Sequence, residues 1–112
     1  MKFPDLLETA KSLNWAIFNN LINLDQVNIE YKNDLPESIW GLTIGFEKIE
    51  TLERFSLVYI KPAEYVIDVL AHELVHVFQI QKKQKLNHNG AFMRYYEKRA
   101  KEIGIEIDMG IY

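Results

Sequence analysis

An α+β fold is predicted by three observations. Residues 6–24 carry an apolar helical period, three short runs between residues 27 and 60 are rich in branched and aromatic side chains, and two further helical segments follow. The expected architecture is an N-terminal helix, a three-stranded sheet and two more helices. At 112 residues the chain suits a single domain over 1–112.

In the first helix Asp5 is placed as N-cap with Glu8 three residues on, a capping box. Leu6, Ala10, Leu13, Ile17, Leu21 and Leu24 then recur at helical spacing. Val27, Ile29 and Tyr31 alternate with polar residues as a first strand. Asn33-Asp34-Leu35-Pro36 reads as a turn into a second, Ile39 to Phe46, which Gly41 and Gly45 interrupt. Phe55 to Ile60 is the third.

The next helix is expected from near Pro62, a residue suited to a first helical turn, to about Lys83. At about 100° per residue, Val66, Ile67, Leu70, Leu74, Val77 and Phe78 fill one broad side. Asp68, Val69, His72, Glu73, His76 and Gln79 fill the other. So wide an apolar arc implies a buried helix, and a buried stripe of such polar groups is costly without partners. The last helix is placed from about Asn89 to Ile103, capped by Asn87 or Asn89 and stopped by Gly104. Its inner face should carry Phe92, Tyr95, Tyr96, Arg99 and Ile103. Ile105 to Tyr112 is a tail with the composition of a short strand.

His72-Glu73-Leu74-Val75-His76 matches H-E-x-x-H. On a helix the two histidines point the same way and can share one zinc ion. Glu73, beside them, suits a general base that takes a proton from water acidified by the metal. This is the chemistry of a zinc metallopeptidase, with Glu73 catalytic and one zinc per chain as cofactor. Without cysteine, any third protein ligand must be histidine or carboxylate. The candidates are His88 and Glu97. If the last helix is regular back to residue 88, His88 projects about 40° from Phe92 and Glu97 about 140° away, toward solvent. That geometry favours His88, with Glu97, an external ligand or no third ligand as alternatives. Asp68, one turn before His72, is a candidate to orient an imidazole. Tyr95 and Tyr96 read as packing residues rather than oxyanion donors.

These elements resemble the SprT-like (Spartan-type) metallopeptidase family from the first helix to about Ile105. The family places a helix and a small sheet before H-E-x-x-H and a third histidine in a following H-G-x-x-[FW] segment. Here that segment reads His88-Asn89-Gly90-Ala91-Phe92, with the glycine displaced by one position. Ile39-Trp40-Gly41 and Ile44 look like the family's glycine-containing strand. The resemblance implies a minimal zincin-like fold, with metal ligands His72, His76 and His88, Glu73 as catalytic base, and hydrolysis of peptide bonds. The C-terminal zinc ribbon of many relatives has no counterpart in a cysteine-free chain, which looks like a bare catalytic core. In some members the substrates are proteins crosslinked to DNA.

The expected partner is a protein or peptide, bound as an added strand along either Phe55 to Ile60 or Ile39 to Phe46. Net charge is −3, yet residues 82–101 carry seven Lys or Arg against Glu97 alone. That run is a solvated helix face or a weak nucleic-acid contact. No apolar run approaches the roughly 20 residues that span a bilayer, and Met1-Lys2-Phe3-Pro4-Asp5 does not read as a signal peptide. A cytoplasmic location is expected, the host's if the chain is phage-encoded. The alternative function is a zinc-stapled binding or adaptor module without catalysis. Retention of Glu73 favours the enzyme, since a structural site has no use for a base.

Overall fold

The computed structural model describes residues 3–88 and 90–107. Helix α1 (Leu6–Phe18) opens on Asp5, whose Oδ1 accepts the Glu8 amide at 3.0 Å. Only half of the expected capping box forms, because the Glu8 carboxylate pairs with Lys11 at 3.3 Å. The helix also stops six residues short of Leu24. Asn19 and Asn20 take left-handed backbone angles (φ 54° and 61°), which asparagine tolerates better than most residues. Buried Asn14 closes the turn, donating from Nδ2 to the Ile22 carbonyl and accepting the Ile22 amide on Oδ1. Leu21 is left exposed, and Leu24–Gln26 form a 3₁₀ turn.

Three strands follow: β1 (Val27–Tyr31), β2 (Gly41–Glu47) and β3 (Arg54–Ile60). Their order in the sheet is β1-β3-β2. Strand β3 pairs parallel with β1 and antiparallel with β2, so the sheet is mixed. The residue 33–36 segment therefore leads away from β1 rather than into a hairpin with β2, and buried Leu35 anchors it. With β3 in the centre, Phe55 to Ile60 has both edges paired and cannot accept an added strand. Among the described strands, β2 keeps an open edge beside the histidine helix.

Helix α2 (Val66–Gln81) begins four residues after Pro62 rather than at it. The Lys61 amide still bonds the Trp40 carbonyl at 2.9 Å, continuing the sheet ladder to the proline. A residue before proline is disfavoured in helical geometry, so the chain needs residues 62–65 to turn. At the other end Lys83 (φ 56°) sits where glycine is usual. The Lys83 amide bonds Ile80 O and the Gln84 amide bonds Gln79 O, a Schellman closure that reverses the chain.

Val58 and Ile60 of β3 pack against α2, which is buried from Val69 through Ile80 between the sheet and the other two helices. Helix α3 (Ala91–Glu102) starts later than expected, and Asn89 lies outside the described residues. Asn87 does serve its start, accepting the Gly90 amide on Oδ1 at 2.9 Å. The buried face is rotated from the expected one: Met93 and Ala100 are enclosed, while Tyr95 and Ile103 are exposed. Tyr96 joins Phe18, Phe78 and Phe92 in an aromatic cluster, with Phe18 and Tyr96 centroids 4.8 Å apart. Arg99 explains its inward position by donating from Nε to Ile17 O (2.7 Å) at the C-terminal end of α1, where carbonyls lack helical partners. Residues 105–107 form no strand, and 108–112 lie outside the described residues. No helix among the described residues is long and apolar enough to cross a membrane.

Candidate metal centre

His72 and His76 project from α2 into the same space, as their four-residue spacing requires. His88 reaches them from the loop between α2 and α3. Ligand-capable atoms of the three lie within 4.8 Å of one another, so the group could bind a metal ion. His88 joins the two histidines, but not for the helical reason, since α3 begins only at Ala91. It is the Schellman turn and the returning loop that deliver this side chain. Glu97 is outside the group, lining a surface hollow with Arg94, Lys98, Lys101, Glu106 and Ile107.

Each α2 histidine is oriented by a partner on Nδ1. His76 Nδ1 lies 2.7 Å from Gln79 Oε1, and Gln79 Nε2 donates to Asn87 O at 3.2 Å. His72 Nδ1 lies 3.1 Å from Ile107 O. A carbonyl oxygen can only accept, so each Nδ1 carries a proton, and in the neutral ring this leaves Nε2 its lone pair. Burial holds His76 below the ordinary histidine range, with His88 adding to the effect against the Gln79 hydrogen bond. A neutral imidazole is the form that ligates metal.

The Nε2 atoms of His76 and His88 face each other at 3.1 Å. Two lone pairs do not approach so closely without a proton or cation between them. A tetrahedral ion with nitrogen bonds of about 2.0–2.1 Å separates its donors by roughly 3.3–3.4 Å. The His76–His88 pair thus fits such an ion with only a small outward shift.

Glu73, just 1% exposed, lies beside the histidines. Its Oε1 accepts the Thr43 hydroxyl of β2 at 2.7 Å, while Oε2 has no hydrogen-bond partner. Burial pushes its carboxyl up to about 8 despite the Thr43 bond. Gly41 makes room for it: a Cβ there would meet Val69 Cγ1 at 2.6 Å and Glu73 Oε2 at 2.9 Å. Gly41, Leu42, Thr43, Glu73, His76, Leu86 and His88 line a cleft of about 190 Å³. A second hollow of about 320 Å³ continues along β2 past Leu86, lined by Gly45, Phe46 and Glu47.

Asp68 does not touch an imidazole as expected; its Oδ1 accepts the Glu106 amide at 3.1 Å. Tyr95 and Tyr96 are absent from the cleft lining. In the sequence Gln79 is visible only as part of the polar stripe, and Thr43 only as one residue of a strand. The Ile107 carbonyl is backbone and leaves no residue-type signal.

No protein-family model, curated protein or solved structure matches this chain.

Proposed function

We propose that the chain is a zinc-dependent endopeptidase with a minimal zincin-like, SprT-like core. The observation that carries this reading is the convergence of three histidine donors beside a buried carboxylate with one unpartnered oxygen. Three imidazole nitrogens without a thiolate suit zinc, and a three-residue donor set matches catalytic rather than closed structural sites. Bound zinc would supply a Lewis acid that lowers the pKa of water and polarises a carbonyl.

The chain's own residues then divide the work. Glu73 accepts the proton of the attacking water on Oε2, while Thr43 holds Oε1 and fixes the carboxyl plane. The same carboxyl returns that proton to the leaving amine, as a general acid–base group does. A peptide laid along β2 as an added strand would present its carbonyl to the cleft through main-chain hydrogen bonds. The second hollow would receive a side chain further along. Lys82, Lys83 and Lys85 follow the cleft's helix in sequence and are exposed, which supports a DNA-associated protein as the substrate class.

The test is Glu73→Gln, assayed on an unstructured protein with and without single-stranded DNA. Zinc binding and fold should persist while proteolysis falls by about 10²–10⁴-fold. Equal cleavage by wild type and variant would sink the mechanism. Stimulation by DNA that fades as salt rises would support the DNA-associated substrate.

A further inference from the structure

The segment after α3 makes two consecutive contacts with α2. Gly104 (φ 83°) turns the chain off the end of α3, and the Ile105 amide bonds Ala100 O at 3.0 Å. Glu106 then donates its amide to Asp68 Oδ1 at 3.1 Å, and the next residue places its carbonyl 3.1 Å from His72 Nδ1. Asp68 and His72 stand one helical turn apart on the same face. Ile107 itself is 1% exposed and belongs to the hydrophobic core, so the segment is held by packing as well as by polar contacts.

We propose that Asp68 is a positioning residue for the histidine cluster, acting through this tail. It pins the Glu106 amide, and the pinned Ile107 carbonyl holds His72 with its proton on Nδ1 and its Nε2 lone pair toward His76 and His88. The proposal rests on the three-histidine reading and deepens it. Loss of the carbonyl removes the acceptor that favours the proton on Nδ1, so that metal binding works against a less ordered ring. Partners that orient a ligand imidazole in this way are typically worth 10–100-fold in metal affinity.

A plainer role for Asp68 is an acid in the first turn of α2, favourable to the helix dipole. Two substitutions separate the roles. Asp68→Asn keeps an acceptor oxygen and removes the charge; Asp68→Ala removes both. Glu106→Pro is a third probe, deleting the donated N–H while leaving α2 untouched. Zinc affinity of the full chain is measured by competition with a chromophoric chelator. The His72 tautomer is read from imidazole ¹⁵N shifts in chelator-treated protein, and circular dichroism reports the fold. Asp68→Asn should bind zinc within about threefold of wild type. Asp68→Ala and Glu106→Pro should bind about 10–100-fold more weakly, with His72 passing from one Nδ1–H tautomer to a mixture. Wild-type affinity and an unchanged tautomer in folded Asp68→Ala would overturn the proposal. So would an Asp68→Asn as weak as Asp68→Ala, which would assign the effect to charge. If Asp68→Ala fails to fold, Glu106→Pro and Asp68→Asn decide the matter by the same criteria. If wild type binds no zinc, the metal reading fails, and the tautomer comparison alone decides whether Asp68 and the tail orient His72.

Discussion

His76 Nδ1 and Gln79 Oε1 stand 2.7 Å apart inside α2, and the other end of the same amide holds the Asn87 carbonyl. Asn87 immediately precedes His88 in the loop. One buried side chain therefore orients one imidazole of the histidine cluster and docks the loop that carries another. Gln79→Leu keeps comparable bulk but removes both bonds, leaving the Asn87 carbonyl without its donor. Zinc affinity should fall by about 10–100-fold with helix content retained, measured by chelator competition and circular dichroism. Unchanged affinity would show that packing alone places the loop.

Gly41 is where β2 passes closest to the site. A methyl group there would press on Val69, whose branched side chain has few alternatives, and on Glu73. Gly41→Ala should lower stability by about 1–3 kcal/mol, read as a lower urea midpoint at unchanged slope. It should also reduce proteolysis by shifting Glu73. A stable, fully active Gly41→Ala would mean that the strand can retreat from α2 at little cost.

Metal and fold should be coupled, because two donors sit on α2 and the third on a loop outside regular structure. With free zinc about 100-fold above its dissociation constant, the folded state gains about 2.7 kcal/mol. For a chain of this size that is roughly a 10 °C rise in melting temperature over chelator-treated protein. A melting temperature indifferent to chelator and to added zinc would contradict a specific site.

Local signals carried much of the fold. Strands β1 and β3 fall where alternation and branched residues place them, since side-chain period in a strand is visible in a five-residue window. The boundaries were less legible. The end of α1 depends on Asn14 reaching Ile22, eight residues away, and on two asparagines adopting left-handed angles that sequence permits without requiring. Pro62 reads as a helix start, but the sheet ladder held its neighbour in extended geometry.

By itself the sequence determined that a buried helix carries two histidines and a glutamate on one stripe, because a 3.6-residue period aligns positions four apart whatever surrounds them. It also limited the third donor to histidine or carboxylate, there being no cysteine. Only the tertiary structure decided that His88 joins the other two histidines and that Glu97 does not. It decided as well that β3 lies between β1 and β2, which leaves β2 with the open edge beside Glu73. The same holds for Gln79, Thr43 and the Ile107 carbonyl as partners of the site. Each contact closes a loop of chain whose cost and direction depend on everything packed between its ends, and no local periodicity records that.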